Sequence, residues 1–316
     1  MIVQYLKPIL DMLDEGLRLY RRGFVGFVLV TAIWFVPVVI GVSLSIAAVR
    51  YWGSWVVFLI LLGWGLGIIP LSMYLVGGLS RALLMIQQGY NVQVWSALAI
   101  HPLWATGMGC YGLILYIIAS IVSSIVSILC LCPLYTVIVG TIGSIGFFAE
   151  TAGHLGTGLA ILSGIMLTMV LVLYYGLSLV LGGATFSTLV YGLQPFVQDS
   201  LSFGNAIQRS IDLILYRVGY NLLAFMFASM IFGAMAIAVT VAVGVLIPLP
   251  LVLALGSESL VTQGVSASAW LLGVALVLPP LPIWMALLYQ HNVRRWQGAD
   301  LARRITALTP HPSLDM

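Results

Sequence analysis

The sequence predicts an all-α membrane protein: a polytopic transmembrane bundle of six spanning helices, with amphipathic surface helices and one re-entrant or interfacial segment. Composition is the first observation behind this prediction. Hydrophobic residues make up 62% of the chain and charged residues only 7%, whereas about 25% of residues are charged in an ordinary soluble domain. Long apolar runs are the second observation, and basic residues gathered on one side are the third. Such a chain cannot cover a water-facing surface, so we expect lipid as its outer solvent.

Residues 1–23 are expected to form an amphipathic helix on the membrane surface. Ile2, Leu6, Ile9 and Leu13 recur at spacings of three and four, while charged residues occupy the other faces. The apolar run that follows is too long for the roughly 7–15-residue core of a signal peptide. We therefore expect it to be retained as the first spanning helix.

Six apolar runs are long enough, at about 20 residues or more each, to cross the hydrocarbon core as helices. They are 24–49, 54–80, 104–129, 157–182, 219–247 and 267–289. These runs organise a single membrane domain, 1–316. Its parts are the surface helix 1–23, a first hairpin 24–80, a middle hairpin 104–182, a second amphipathic helix 198–216, a last hairpin 219–289 and a cytoplasmic tail 290–316.

The apolar stretch 130–149 decides between six and seven spanning helices. With six spans and a cytoplasmic N-terminus, eleven of the twelve lysines and arginines fall on the cytoplasmic side, and only Arg50 falls outside. A seventh span would move Arg209, Arg217 and the C-terminal arginines across the membrane, against the positive-inside rule. We therefore predict that 130–149 re-enters the membrane or lies on its outer surface, that Pro133 breaks its link to the third helix, and that both termini are cytoplasmic.

The element Leu-Tyr-Arg-x-Gly-aromatic occurs twice, at 19–24 and 215–220, each time directly before a long apolar run. We interpret the pair as a parallel duplication, with chance similarity as the alternative. In this interpretation Tyr20 and Tyr216 anchor the chain at the interface, and Gly23 and Gly219 permit the turn into the membrane. The surface-helix arginines are candidates for contact with lipid headgroups, with plain topological anchoring as the alternative: Arg18, Arg21, Arg22, Arg209 and Arg217.

Two segments carry a family resemblance: QDSLSFGNAIQRSIDLILYRVGYNLL at 198–223 and GGLSRALLMIQQGYNVQVWSAL at 77–98. They resemble, respectively, the segment before the last hairpin and the stretch after the second helix in a group of bacterial six-helix membrane proteins. That group includes the YciC proteins and the membrane domain of glycerophosphoryl diester phosphodiesterases. The resemblance implies a six-helix membrane domain without phosphodiesterase activity, because those enzymes carry their chemistry in a separate soluble domain and we expect none here.

Few residues are arranged for chemistry. Glu150 and His154 are four apart and could share a helix face as metal ligands or a proton relay, but two ligands are too few and an exposed polar turn is the favoured alternative. Cys130 and Cys132 lack the two-residue spacing of redox and zinc motifs, which favours apolar burial. We predict no cofactor, no metal site and no catalytic residue. Spanning helices without interior charges argue against an ion-coupled pump.

These observations predict a non-enzymatic integral membrane protein that serves membrane-complex organisation, assembly or lipid homeostasis in a bacterial inner membrane or another energy-transducing membrane. A permease or lipid translocator without ion coupling through buried charges is the alternative. The expected partners are membrane lipids, with a membrane-protein partner or a second copy left open. The net charge of +3 and the scattered basic residues give no basis for nucleic-acid binding.

Overall fold

The computed structural model describes residues 2–51, 54–98, 102–151 and 153–308, and the regular elements in these ranges are all helical. In chain order they are α1 (Ile2–Arg22), α2 (Phe24–Tyr51), α3 (Ser54–Gln87), α4 (Val94–Leu98), α5 (Pro102–Thr151), α6 (Gly153–Gln198), α7 (Phe203–Tyr216), α8 (Val218–Leu246), α9 (Leu249–Leu255), α10 (Leu260–Val277) and α11 (Pro280–Leu308). The predicted all-α class is confirmed.

Five segments of the described chain are long and apolar enough to cross a membrane. They are Phe24–Gly41, Gly109–Leu129, Ile161–Gln198, Val218–Leu255 and Val261–Gly298. The molecule therefore has the helices of a multi-pass membrane protein. The predicted span 54–80 lies in α3, where the apolar helical stretch Trp55–Trp64 is shorter, so the count of six spans is not confirmed.

The third predicted span continues far beyond its expected end. Pro133 lies inside α5, which runs as one helix of 50 residues, so the predicted break at this proline is wrong. Proline is tolerated in apolar helices at membrane depth because neighbouring groups re-satisfy the freed backbone. At about 1.5 Å per residue α5 is roughly 75 Å long, more than twice the hydrocarbon thickness of about 30 Å. Residues 130–149 belong to this helix, and the expected re-entrant or interfacial segment is not confirmed.

Helices α5 and α6 form an antiparallel hairpin. The Tyr111 hydroxyl donates to the Gly192 carbonyl at 2.8 Å, and the Thr185 hydroxyl donates to that of Ser123 at 2.9 Å. Away from these contacts the hairpin exposes large apolar side chains, such as Ile128 at 65% and Met169 at 66%. That surface is suited to lipid and not to water.

The buried core lies at one end of the bundle, which we call the core end. Here α1, the second half of α3, the end of α6, α7, the start of α8 and α11 meet. Trp284, Tyr191 and Tyr111 are among the largest fully buried side chains. Because Ile9 and Met12 of α1 share this core with Trp284 of α11, the core end ties the N-terminal and C-terminal helices into one unit.

The last predicted span, 267–289, is divided in the structure. α10 ends at Val277 and α11 begins at Pro280, because Pro279 cannot donate a backbone hydrogen bond and proline is favoured in the first turn of a helix. α11 then continues to Leu308. Much of the predicted tail, 290–316, is therefore helical as far as it is described.

Candidate functional site

A lateral groove of about 700 Å³ lies between α6, α8 and the junction of α10 with α11. Leu179 and Phe186 of α6, Phe232 and Ile237 of α8, and Leu281 of α11 are among the residues that line it. Its volume falls within the range of about 300–1,000 Å³ that is typical of small-molecule sites. The groove is therefore large enough to hold an apolar chain.

Glycines shape this groove in two different ways. Gly183 brings α6 onto α8, because a Cβ at this position would overlap Ser229 Oγ and lie 3.3 Å from Ser229 Cα. Gly176 and Gly233 also line the groove, but a Cβ at either would meet no atom within 4 Å. Close approach at Gly183 sets the depth of the groove, and the absent side chains at the other two glycines leave its volume open.

The groove is electrically neutral. None of its lining residues is charged or titratable, and Ser229 and Thr240 are the two that carry a hydroxyl. The Ser229 hydroxyl already donates to the Val180 carbonyl at 2.9 Å. The lining therefore offers van der Waals contact and no acid, base or nucleophile for chemistry.

A smaller cavity of about 290 Å³ lies beneath the amphipathic helix α7, between it and the α5–α6 hairpin. Ile207, Ile211 and Ile214 of α7 line it, at the spacing that places them on one helix face. The apolar face of α7 thus faces the α5–α6 hairpin, and this cavity remains where the two do not touch.

Asparagine side chains hold the core end together. Asn292 Nδ2 donates to Tyr191 Oη at 2.9 Å and to Asn221 Oδ1 at 2.8 Å. Asn221 Nδ2 in turn donates to the carbonyls of Leu213 and Ile214 at 3.0 and 3.1 Å. These carbonyls lie in the last turn of α7 and lack helical partners there. The network therefore connects α6, α8 and α11 and also caps α7.

A chain of glutamine amides runs beside it. Gln87 and Gln290 exchange hydrogen bonds of 3.0 and 3.1 Å, Gln290 also donates to Gln198, and Gln198 donates to Gln194. The Tyr289 hydroxyl donates a short hydrogen bond to Asp199. These hydrogen bonds link the ends of α3 and α6 to α11.

No family model, curated protein or solved structure matches the chain. The family resemblance drawn from residues 77–98 and 198–223 therefore stays a prediction.

The predicted headgroup arginines have different surroundings. Arg18, Arg21 and Arg22 are exposed on α1. Arg209 places its guanidinium 4.2 Å from the ring centroid of Trp296, and Arg217 lies 4.8 Å from that of Tyr220. Aromatic faces thus occupy the two later arginines, and no described contact joins them to the three of α1. Contact of any of them with lipid stays a prediction.

The two copies of the repeated element also differ. Tyr20 is buried and donates to the Leu276 carbonyl at 2.7 Å, and burial raises the pKa of its phenol to about 12. Tyr216 is 37% exposed. In the first copy α1 and α2 meet at Gly23, where a Cβ would overlap Ile86 Cδ1.

In the second copy the helix break falls at Arg217, whose φ and ψ are −144° and 59°. Gly219 lies inside the first turn of α8, and a Cβ there would meet nothing within 4 Å. The predicted turn at Gly219 is therefore wrong in position, because the cap that Asn221 supplies lets the chain turn at a residue with a side chain.

The other residues considered from the sequence add no site. The side chains of Glu150, His154 and Cys130 lie outside those described, and Cys132 is exposed. In the described part of the chain no three His, Cys, Asp or Glu side chains are grouped so as to hold a metal ion.

Ser229, Gly183 and Asn292 are the residues that sequence reasoning missed. The pair Ala228 and Ser229 in an apolar run is the kind of small-residue signal that marks helix contact in membranes. That signal predicts close packing but does not identify the partner helix.

Proposed function

We propose that this chain is a non-enzymatic integral membrane protein that holds the apolar chain of a membrane lipid in its lateral groove. It would serve lipid homeostasis or the organisation and assembly of membrane complexes, in a bacterial inner membrane or another energy-transducing membrane. One observation carries the proposal: a groove of about 700 Å³, lined by apolar side chains of α6, α8 and the α10–α11 junction, without a charged group.

The physics of the bilayer sets how such a groove works. A lipid chain that leaves the bilayer for an apolar groove exchanges one apolar environment for another, so the hydrophobic effect contributes little. Retention of the lipid then depends on van der Waals contacts, each of which contributes little free energy although their sum is large. The groove should therefore exchange its bound lipid and discriminate between lipids by the shape of their apolar chains. Such exchange is suited to lipid homeostasis or to the assembly of membrane complexes.

A permease or lipid translocator is the alternative, and the cavities favour it less. A polar cavity at the core end, which Asp11, Glu15 and Arg294 line among others, shares no lining residue with the lateral groove. Between Leu281, which lines the groove, and Leu287, which lines the polar cavity, Ile283, Trp284 and Met285 are at most 1% exposed. A polar headgroup or solute would have to displace these side chains to pass. We also propose that both termini are cytoplasmic, as the distribution of lysines and arginines along the sequence predicts.

Groove-filling substitutions test the proposal. Gly233→Leu and Gly176→Leu add a side chain to the groove at positions where the new Cβ meets nothing. Gly182→Leu is the matched control, because Gly182 is an equally open position of α6 that does not line the groove. The measurement is lipid retained per protein after purification in mild detergent, by native mass spectrometry and extraction.

We expect retained lipid to fall severalfold in the groove-filling variants and to stay at the unsubstituted level in the control. Equal retention in Gly233→Leu and Gly182→Leu, with both proteins folded, would contradict lipid binding in the groove.

A further inference from the structure

A separate polar cavity of about 260 Å³ lies at the core end, between α1, the end of α3 and α11. Asp11 and Glu15 line it from α1, and His291 and Arg294 line it from α11. Each pair lies on one face of its helix, because residues three and four apart share a face. At about 30 Å³ per water the cavity has room for roughly eight or nine waters, which is suited to a headgroup and too small for a lipid chain.

The two walls of this cavity have opposite charge. Asp11 and Glu15 make the α1 wall negative, and neither forms an ion pair with another described residue. Arg294 makes the α11 wall positive, and the charges of Arg295 on α11 and of Arg217 at the junction of α7 and α8 also act on His291. A cavity with separated charge favours a ligand that carries a cation and an anion at its two ends.

The polar groups that remain available also fit such a ligand. Gln87 and Gln290 line the cavity but are satisfied by each other. His291 Nε2 is buried and has no hydrogen-bond partner among the described atoms. Because this nitrogen is buried, it is not open to a ligand in the cavity. Two carboxylates and one guanidinium are therefore left for a ligand.

Close packing beside the cavity fixes the separation of its walls. A Cβ at Gly16 would lie 3.4 Å from Leu287 Cδ1, so the backbone of α1 packs there on the Leu287 side chain of α11. Leu287 is also part of the cavity lining. The walls are thus held on packed helices and not on loops, which keeps the charged groups positioned.

We propose that this cavity binds the zwitterionic headgroup of a membrane lipid that carries a primary ammonium and a phosphate. The ammonium donates to the carboxylates of Asp11 and Glu15, and the phosphate accepts from Arg294. A quaternary ammonium cannot donate to the carboxylates, and a purely anionic headgroup meets them unfavourably. The inference rests on the proposed function only in that the ligand is a membrane lipid.

The test uses the full chain reconstituted in vesicles of equal phosphatidylethanolamine, phosphatidylcholine and phosphatidylglycerol. The measured quantity is the ratio of these lipids that stays with the protein after detergent extraction. We expect phosphatidylethanolamine to be enriched about tenfold over phosphatidylcholine, as for a charge-assisted contact. Asp11→Asn with Glu15→Gln should abolish the enrichment, and Arg294→Gln should reduce retention of both. Asp14→Asn, on α1 but outside the cavity lining, is the matched control and should keep the ratio.

An unchanged phosphatidylethanolamine to phosphatidylcholine ratio in the Asp11 and Glu15 double variant would overturn the proposal. These side chains are exposed, and an unfolding temperature equal to that of the Asp14→Asn control establishes that the variant is folded. Soluble glycerophosphoethanolamine is added in a second arm. If it displaces the lipid at equal concentration, the site takes a free zwitterion from water and the lipid assignment is wrong.

The two proposals fail separately. Gly233→Leu changes the total amount of retained lipid, whereas the Asp11 and Glu15 double variant changes the headgroup ratio. A loss of total lipid in Gly233→Leu together with an unaltered ratio in the double variant leaves the groove proposal standing and removes this one.

Discussion

Substituting Gly183 by alanine tests the contact that sets the depth of the groove. The added Cβ would overlap Ser229 Oγ and lie 2.9 Å from Ser229 Cβ and 3.3 Å from its Cα. Rotation of the Ser229 side chain can move the hydroxyl but not its Cβ or Cα. The backbones of α6 and α8 must therefore separate, and the hydroxyl loses its 2.9 Å bond to Val180 if it turns away.

The magnitude follows from two opposed terms. Overpacking by a methyl group costs about 1–3 kcal/mol, and replacing glycine by alanine inside a helix returns about 0.5–1 kcal/mol. Gly182 is the neighbouring residue of the same helix, and a Cβ there meets nothing within 4 Å. The helix term is common to both variants, so Gly183→Ala should be less stable than Gly182→Ala by about 1–3 kcal/mol.

Equilibrium unfolding of the purified protein in mixed detergent micelles measures this difference. Adding Ser229→Gly to Gly183→Ala removes the overlapping atoms and should recover most of the loss, as a double-mutant cycle would show. If the two alanine variants agree within about 0.5 kcal/mol, α6 and α8 do not touch at this position and the groove has a different shape.

Three further predictions concern the core end and the topology. Tyr20→Phe should lower the free energy of unfolding by about 0.5–1.5 kcal/mol because it removes the hydrogen bond to Leu276, whereas Tyr216→Phe should change it almost not at all. Because the pKa of Tyr20 is raised to about 12 in the folded protein, its stabilising contribution is complete below about pH 10 and disappears as the pH rises through 12. A difference between the two variants that does not depend on pH would contradict this. Asn292→Ala should cost about 1–3 kcal/mol in unfolding experiments because its two partners stay buried, and a neutral result would mean that the network is absent. Cysteine at Gly204, in a chain without native cysteines, should be labelled from the cytoplasm, and labelling from outside alone would refute the predicted orientation.

Positions where polar and apolar runs meet could be predicted from the sequence. The surface helix 1–23 corresponds to Ile2–Arg22. The second amphipathic helix, predicted at 198–216, ends at Tyr216 but begins only at Phe203, because Gln198 still belongs to α6. The starts of α2, α3 and α8 also fall within one residue of the predicted runs. These features depend on local hydrophobicity and periodicity, which a single sequence contains in full.

The continuity of α5 could not be predicted in the same way. Proline usually breaks a helix because it removes one hydrogen bond and clashes with the preceding turn. Whether the helix continues depends on what surrounds it, and a charge count along the chain does not report those surroundings. The positive-inside rule assigns sides to loops, but it cannot distinguish a re-entrant segment from a long helix that extends past Pro133.

The groove could not be predicted from the sequence, because its position depends on how α6 is rotated against α8. Gly182 and Gly183 are the same residue in consecutive positions, yet one faces open space and the other touches Ser229 across a helix interface. Their sequence context is almost identical, and only the rotation of α6 about its axis separates them. Identity of the partner helix is a property of the assembled bundle, so small residues predict a contact without predicting its place.

The two copies of the repeated element, at the ends of α1 and α7, differ in burial and in contacts. Tyr20 is buried against the last helices, whereas Tyr216 is exposed. Arg217 lies over an aromatic ring, so one face of its guanidinium is already occupied, while Arg21 and Arg22 are exposed at the end of α1. Similar sequence therefore does not give similar exposure, because the first copy is packed against α11 and the second is capped by Asn221. If arginines of this element contact headgroups, those at the end of α1 have the more available charge, and α1 also forms the negative wall of the polar cavity. α1 therefore carries the more available arginines for the proposed headgroup contact as well as one wall of the polar cavity.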